Sequence, residues 1–449
     1  MKTKFFFGLL LTITLFGGLL RLKNLATIPF PGQSQDEYSN TWVGLSLIQI
    51  GMPVGMSGVS GNLHRERIYI NPDRIFQQTA AGDPMTIAYP WFDHPPLVGM
   101  ITGSFAYLRG GRLFEDATSG VIRKPAVAFG IATIFLTGIV ASTLFGNAVG
   151  LLAALFYAVS PLVTVTNRMI QAENFFTPLA LLALYCWFQF AQKKRKAFIY
   201  LSLLPVIAAV LCKLSAFAFV LAGMLLLYRL TGKKWPAVLV GTAALAAFSW
   251  WAIFGVTLSP TAFWSVLTGN SARIYGIGFQ AVAELITTTK VTGTKTISDG
   301  WVLASFISLF VLFFSKVKNK EWILVPSLCY LAVYLFFGGE SYGWYRIPFY
   351  PFGFIALASL TVEIFRSAEI AGVFLFLIPL GVAAGKVTSP VGNWLTIWRV
   401  FPVVSVVLGY LFANKLVNRV LLALVFAAAI VVSLIYNLKI DISFWYQLY

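Results

Sequence analysis

The sequence predicts an all-α polytopic membrane protein with about 13 membrane-spanning helices and a large first outer loop. Of its 449 residues, 58% are hydrophobic and only 11% are charged, whereas a soluble domain carries about 25% charged residues. Apolar runs close to the ~20 residues that a membrane helix requires recur along the chain. This composition excludes a cytosolic globular protein, a disordered chain and a fibrous repeat. The runs also lack the alternating polarity of a transmembrane β-barrel.

The net charge of +17 comes from 33 Lys and Arg residues against 16 Asp and Glu residues. In a soluble protein such an excess would indicate a nucleic-acid partner. In a membrane protein we interpret it as cations at the cytoplasmic ends of helices, facing anionic lipid. We therefore predict contact with membrane lipid and no nucleic-acid partner. The three cysteines lie in apolar runs, so we expect neither a disulfide framework nor a cysteine metal site.

The first apolar run, residues 5–20, predicts an uncleaved membrane helix with a cytoplasmic N-terminus. Two lysines precede it, and Arg21 follows at once without a small-residue cleavage site. Residues 24–95, rich in Gly, Pro and polar groups, then predict a large extramembrane loop. Within this loop, residues 38–50 have helical spacing of apolar groups and predict an amphipathic juxtamembrane helix at the membrane surface.

Thirteen further apolar runs follow. Among them, 96–108 is too short for a bilayer, so we predict a re-entrant or interfacial segment there. The other twelve, added to the first helix, give the predicted 13 spans. The runs are 96–108, 125–145, 147–166, 174–191, 198–212, 214–230, 236–258, 300–315, 321–338, 347–362, 370–385, 400–414 and 419–437.

Cation clusters fix the predicted orientation. The positive-inside rule places them in the cytoplasm, with the C-terminus outside. The outer face then receives most of the unusual polar residues, in segments 24–124, 167–173, 259–299 and 339–346 and at the hairpin of Lys213. The cytoplasmic clusters are Lys193–Lys196, Lys233–Lys234, Lys316–Lys320 and Lys415 with Arg419.

Two acidic motifs on this outer face are candidates for chemistry. Asp36 and Glu37 follow the first helix, either as a solvated helix N-terminus or as a general base held above the bilayer. Asp93 and His94 precede Pro95 and Pro96, residues that start a helix well. These two residues either belong to an ordinary helix start or, at an anion-attracting N-terminus, form part of a site.

Four further charged residues lie at outer ends of apolar runs. Glu173 begins a span, where the helix dipole favours an anion, and Arg168 lies just before it, where it could simply extend its charge to the interface. Lys213 interrupts an apolar stretch, either as a hairpin tip or as a cation directed at an anionic lipid headgroup. Arg346 before a helix opposes the dipole and predicts an anion nearby.

These residues and their order resemble the GT-C superfamily of polyprenyl-phosphate-sugar glycosyltransferases. The similarity is greatest to bacterial protein O-mannosyltransferase-like proteins and to lipid A aminoarabinose transferases, and it covers about residues 5–360. The Asp-Glu pair followed by His-Pro-Pro-Leu is the more specific part. The motifs are Asp36-Glu37, Asp93-His94-Pro95-Pro96-Leu97, Arg168 with Glu173, Lys213, and Trp344 to Pro351.

The resemblance implies an organisation and a set of roles. Residues 1–362 would form the catalytic transmembrane module, residues 363–449 would add C-terminal membrane helices, and no separate soluble domain is expected. Asp36 matches the acid that acts as base or orients the acceptor, Glu173 stands where the family has Asp, and Lys213 matches a lysine near the carrier phosphate.

A divalent metal stays an open question. In the aminoarabinose branch the position of Asp93 holds a metal-liganding Glu followed by Lys, whereas here Asp93 is followed by His94. Segment 259–299 contains no histidine. No other cofactor is indicated, and a nucleotide-binding loop is absent from the sequence, so an already activated lipid substrate would supply the energy.

The predicted function is transfer of a sugar from a polyprenyl-phosphate carrier to an acceptor hydroxyl of a protein, lipid or glycan. We expect it at the outer face of the plasma membrane, the inner membrane of a Gram-negative cell. Asp36, Glu37 and Glu173 are the catalytic candidates, and His94, Lys213 and Arg346 are the candidates for the carrier phosphate. A secondary transporter or flippase for lipid-linked sugar is the alternative, but it would place charges mid-span.

Overall fold

The computed structural model describes residues 3–59, 65–68, 85–271, 279–293, 295–337, 342–387 and 414–441, with short pieces between 400 and 411. The described helices are α1 (Thr3–Leu22), α2 (Gln35–Ile50), α3 (Leu97–Leu108), α4 (Ser119–Phe145), α5 (Asn147–Val159), α6 (Pro161–Thr166), α7 (Ala172–Lys193), α8 (Ala197–Cys212), α9 (Phe217–Thr231), α10 (Lys234–Leu258), α11 (Pro260–Ser271), α12 (Phe279–Thr287), α13 (Gly300–Phe314), α14 (Glu321–Phe337), α15 (Tyr350–Ser367), α16 (Val373–Val387) and α17 (Lys415–Lys439).

Many of these helices have the length or the apolar composition of membrane helices. Among the described residues, eight helical segments are long and apolar enough to cross a membrane, and five shorter apolar helices accompany them. The prediction of a polytopic helical membrane protein is therefore confirmed. The number of 13 spans stays a prediction, and so does the division at residue 362. Part of the predicted span 400–414 lies outside the described residues.

One predicted span is divided in two. The run 147–166 forms α5 and then α6, because the helix ends at Val159 and restarts after Ser160. Pro161 is at the first helical position, where its missing N–H is not needed. The hydroxyl of Ser160 accepts the Val163 N–H and also donates to Asp299, 2.6 Å away. The break therefore ties α6 to the start of α13.

The segment between α1 and α4, predicted as an outer loop, contains a close pair of helices, α2 and α3. A Cβ added at Gly44 would lie 1.9 Å from the carbonyl oxygen of Gly99, so the two backbones touch where these glycines meet. Residues 37–46 are all buried. The helix predicted at 38–50 thus exists as Gln35–Ile50, and most of it is buried against other parts of the protein, including α3. Its position relative to the membrane surface stays a prediction.

The same loop contains a small sheet that the sequence analysis did not predict. Its strands are β1 (Gly55–Met56), β2 (Arg65–Ile68) and β3 (Met85–Ala88), in the order β1-β3-β2, all antiparallel. Gly55 pairs with Ala88, and Arg65 pairs with the same residue from the other side. Such a sheet is compatible with the predicted place of this loop outside the bilayer, where water can satisfy the groups at its edges.

Segment 259–299, predicted as an outer loop, contains α11 and α12. Helix α11 forms because its apolar side has a partner surface. Phe263 is fully buried, with its ring centroid 5.0 Å from that of Trp251 and 5.5 Å from that of Phe92. Since Phe92 directly precedes Asp93, this contact fixes the start of the Asp-His-Pro-Pro motif against α10 and α11.

Candidate functional site

A polar cavity of about 390 Å³ lies between the segment that joins α1 to α4 and the 3₁₀ turn Gly343–Phe349. We call it the polar cavity. Three of the predicted site residues, Asp36, Asp93 and His94, border it together. It is lined by Gly32, Gln33, Ser34, Asp36, Met56, Ser57, Gly58, Val59, Trp91, Asp93, His94, Asn270, Tyr342, Trp344 and Tyr345.

Asp36 and Glu37 lie in the first turn of α2 and face different surroundings. Asp36 is half-buried and borders the polar cavity. Glu37 is fully buried and forms an ion pair with Arg123, with a closest N–O distance of 2.9 Å. Neighbours on a helix point ~100° apart, so one of two adjacent acids faces the cavity and the other faces the helix packing. Glu37 does not line the polar cavity.

The Asp93–His94 motif is held from two sides. The hydroxyl of Ser57, just after β1, donates to the Asp93 carboxylate at 2.6 Å. From α11, the Asn270 amide donates to the Asp93 carbonyl at 3.1 Å. The His94 ring packs edge-on against Trp91, with 5.8 Å between centroids. These contacts hold the carboxylate and the imidazole at the cavity wall.

Glu173 and Lys213 form a second buried ion pair. The Lys213 ammonium lies 2.6 Å from the Glu173 carboxylate and 4.2 Å from the centre of the Tyr345 ring. Tyr345 lines the polar cavity, whereas Glu173 and Lys213 do not. Lys213 therefore faces the cavity across an aromatic ring, and its charge is already balanced by Glu173.

Arg346 is a buried cation with free hydrogen-bonding capacity. One guanidinium N–H donates to the Thr288 hydroxyl at 2.9 Å. Its Nε and Nη1 have no acceptor among the described residues, and neither do the hydroxyls of Tyr334 and Tyr350. Both tyrosines lie within electrostatic range of Arg346. Donors of this kind are chemically suited to bonding an anion.

Arg168 is buried and holds the end of the first helix. Its three guanidinium nitrogens donate to the carbonyls of Leu20, Arg21 and Ile28 at 2.9–3.2 Å. Burial, with the nearby charges of Arg123 and Arg21, lowers the pKa of Arg168 to about 9. The side chain is still a cation at neutral pH, suited to the C-terminal carbonyls of α1, and it does not border the polar cavity.

Several residues of this region were not predicted. Arg123 was not among the predicted site residues, and its pairing with Glu37 joins positions far apart in the sequence. No motif or charge pattern in the sequence indicated that Asn270 would contact the site. Tyr345 belonged to the motif used for the resemblance, which was the available signal, but its contact with Lys213 is visible only in three dimensions.

The described part of the chain offers few side chains that could bind a metal ion together. No group of three or more His, Cys, Asp or Glu residues lies close enough there to hold a metal ion. Asp93 has Ser57 and His94 as neighbours, which does not make a set of ligands for a divalent metal. We therefore derive no catalytic step through a metal.

Comparison with known proteins is consistent with this architecture. The family model for dolichyl-phosphate-mannose-protein mannosyltransferases matches residues 93–254. That segment contains Asp93, His94, Glu173 and Lys213. A search of curated proteins gives no match.

Solved structures share the fold over nearly the whole chain. ArnT from Cupriavidus metallidurans bound to undecaprenyl phosphate is 16% identical, with a TM-score of 0.56, and the alignment covers 97% of this chain and 76% of ArnT. Arabinosyltransferase EmbB from Mycobacterium smegmatis is 13% identical, with a TM-score of 0.57, covering 94% of this chain and 40% of EmbB. The apo oligosaccharyltransferase from Archaeoglobus fulgidus is 12% identical, with a TM-score of 0.51, and the alignment covers 96% of this chain and 56% of the oligosaccharyltransferase.

The architecture is thus that of a multi-pass membrane protein with the GT-C fold. The resemblance found in the sequence is confirmed, since the fold is shared with these structures and residues 93–254 match the family model for dolichyl-phosphate-mannose-protein mannosyltransferases.

Proposed function

We propose that the protein transfers a sugar from a polyprenyl-phosphate carrier to an acceptor hydroxyl at the outer face of the plasma membrane. The observation that carries this proposal is the polar cavity, which brings Asp36, Asp93 and His94 together at the wall formed by the first outer loop. Carboxylates at such a cavity suit an acceptor hydroxyl that must lose a proton. The acceptor would be a protein, a lipid or a glycan.

A separate apolar cavity supports a lipid-linked donor. It has a volume of about 210 Å³ and lies between α12, α13 and α14, with Leu285, Leu331 and Phe349 among its lining residues. Its walls are almost entirely hydrocarbon, which suits a segment of a polyprenyl chain. ArnT, whose fold this chain shares, has been solved with undecaprenyl phosphate bound.

Polar groups lie close to this apolar cavity. Phe349, which lines it, has its ring centroid 5.7 Å from that of Tyr334. Arg346, three residues before Phe349, donates a hydrogen bond to Thr288, three residues after the lining residue Leu285. Arg346 and Tyr334 also have donors without an acceptor among the described residues. A cation beside an apolar cavity suits the phosphate of a lipid carrier. We therefore propose that Arg346 contacts the carrier phosphate, with His94 and Lys213 contributing positive charge.

The proposed reaction is a single displacement. The acceptor oxygen attacks the anomeric carbon while the bond from that carbon to the carrier phosphate oxygen breaks. The bonding pair leaves with the phosphate, which departs as a monoester and needs cations more than a proton. Asp36 takes the acceptor proton as the new bond forms. Asp93 is the other carboxylate at the cavity, whereas Glu173, the second candidate from the sequence, is paired with Lys213 and does not line it. Attack opposite the leaving group inverts the anomeric centre.

A direct assay tests the function. Purified protein in proteoliposomes would be given undecaprenyl-phosphate sugars, including the mannose, glucose and aminoarabinose forms, with candidate acceptors. We expect release of undecaprenyl phosphate together with a glycosylated acceptor for at least one sugar. Movement of intact carrier-linked sugar between leaflets, without any cleavage, would instead support the flippase alternative.

The proposed orientation predicts a labelling pattern. In a background without the three native cysteines, Leu113→Cys should react with a membrane-impermeant maleimide added to whole spheroplasts, and Arg195→Cys should react only after lysis. Both positions are exposed, so access depends on the side of the membrane alone. The opposite pattern would place the polar cavity on the cytoplasmic side and contradict the proposal.

The carrier-phosphate assignment predicts graded losses of carrier affinity. Arg346→Gln should weaken undecaprenyl phosphate binding by about 10- to 100-fold, because hydrogen bonds to a charged group contribute about 1.5–3 kcal/mol. Lys213 requires a different design, since its removal would leave Glu173 buried and unpaired. The double variant Lys213→Met with Glu173→Gln removes both charges at once and should weaken binding less than Arg346→Gln.

The measurement is a binding isotherm for undecaprenyl phosphate in detergent micelles. Arg366→Gln is the matched control, because Arg366 is an exposed arginine paired with Glu363. Wild-type affinity in Arg346→Gln, in His94→Ala and in the double variant would remove all three cations from the carrier site.

A further inference from the structure

Trp344 carries a buried hydrogen-bond donor that no described residue accepts. Its side chain lines the polar cavity and is only 4% exposed. The ring stacks on Tyr342 with 4.4 Å between centroids and 12° between planes, so its orientation is fixed. The indole N–H nevertheless has no acceptor among the described residues.

Several other buried tryptophans of the described chain have partners for their indole N–H. The indole of Trp91, which lines the same cavity, donates to the Met56 carbonyl at 2.9 Å. Trp42 donates to the Phe114 carbonyl, and Trp301 donates to the Ser433 hydroxyl. Buried donors are normally satisfied because an unpaired one loses its bond to water without replacement. The unused N–H of Trp344 therefore indicates an oxygen supplied by a bound molecule.

The position of Trp344 indicates which part of a substrate supplies that oxygen. Trp344 precedes Tyr345, whose ring contacts Lys213, and it is two residues from Arg346. It thus belongs to the wall next to the cations proposed for the carrier phosphate. Asp36, proposed for the acceptor, belongs to the first outer loop. A sugar joined to the phosphate must lie beside the cations, between them and the acceptor.

We propose that the indole N–H of Trp344 donates a hydrogen bond to one ring hydroxyl of the donor sugar and so selects sugars that carry this hydroxyl. This inference rests on the proposed glycosyltransferase function. A site built to bond a substrate hydroxyl discriminates strongly against the analogue that lacks it, since the buried donor is then left unpaired. Trp344 is thus a specificity-determining residue for the transferred sugar.

The test is Trp344→Phe, which keeps an aromatic ring against Tyr342 and removes the N–H. Its probes are the undecaprenyl-phosphate sugar that the wild-type protein accepts and the monodeoxy analogues of that sugar. We expect kcat/KM to fall about tenfold with the complete sugar, a typical loss for one buried hydrogen bond. With the analogue that lacks the hydroxyl bonded by Trp344, the wild-type protein and Trp344→Phe should have the same lowered kcat/KM. Trp344→His, which restores a ring N–H, should recover part of the difference.

Trp91→Phe is the matched control, because it removes an N–H that is already bonded to the protein. It should slow transfer of every donor by a similar factor. An equal loss for Trp344→Phe on the complete sugar and on all deoxy analogues would overturn the inference while leaving the transferase function intact. If Trp344→Phe does not fold, the wild-type protein alone provides the test, and equal kcat/KM for the complete sugar and for every monodeoxy analogue would overturn the inference. Absence of transfer by the wild-type protein from every donor would overturn the proposed function, and this inference with it.

Discussion

Replacing Asp36 by Asn should lower single-turnover sugar transfer by about 10²–10⁴-fold, the usual range for loss of a general base. The substitution keeps the size of the side chain and its place at the wall of the polar cavity. Affinity for undecaprenyl phosphate should stay near the wild-type value, because the proposed phosphate contacts lie on other elements. The measurement is rapid-quench transfer with enzyme in excess over donor.

Glu37→Gln separates the role of Asp36 from that of its neighbour. Glu37 does not line the polar cavity and is committed to Arg123, so its replacement should slow transfer per folded molecule less than Asp36→Asn does. Near-normal transfer by a folded Asp36→Asn protein would remove Asp36 as the base. The role would then pass to Asp93, the other carboxylate at the cavity, ahead of the buried Glu173.

The class of fold could be predicted from the sequence because a bilayer imposes a simple rule. Backbone groups in hydrocarbon must be bonded internally, so long apolar runs become helices whatever they pack against. The run 236–258, for example, corresponds closely to Lys234–Leu258. Outside the membrane this rule does not predict which segments form helices. There, α11 depends on Phe263 meeting Phe92 and Trp251, a contact between distant parts of the chain.

The candidate site was predictable as a set of residues but not as an arrangement. Asp36, Asp93 and His94 stood out because charged groups at the edges of apolar runs are unusual, and the structure brings them to one cavity. The pairings of Glu37 with Arg123 and of Glu173 with Lys213 join positions 86 and 40 residues apart. Nothing in local spacing encodes such pairs, so a sequence alone assigns the same potential role to a paired and to an unpaired charge.

The largest effect on stability is expected at the Glu37–Arg123 pair, which connects α2 to α4. Arg123 donates to both carboxylate oxygens of Glu37 at 2.9–3.1 Å and to the Leu25 carbonyl at 2.9 Å. The side chains are 1% and 0% exposed. Arg123→Ala would leave a carboxylate buried without its partner, and such changes cost about 3–5 kcal/mol. We expect this loss in the free energy of unfolding, measured by SDS titration in mixed micelles.

The double variant Arg123→Met with Glu37→Gln distinguishes an unpaired charge from a general loss of packing. With both charges removed, the uncompensated carboxylate disappears, so the double variant should be more stable than Arg123→Ala by a large part of that difference. Arg366→Ala serves as the control, since the exposed Glu363–Arg366 pair, with side chains 61% and 73% exposed, should contribute less than about 1 kcal/mol. If the double variant were as unstable as Arg123→Ala, the loss would come from the missing arginine contacts, including the one to Leu25. If Arg123→Ala were as stable as Arg366→Ala, the pair would not hold α2 against α4, and the different surroundings of Asp36 and Glu37 would need another cause.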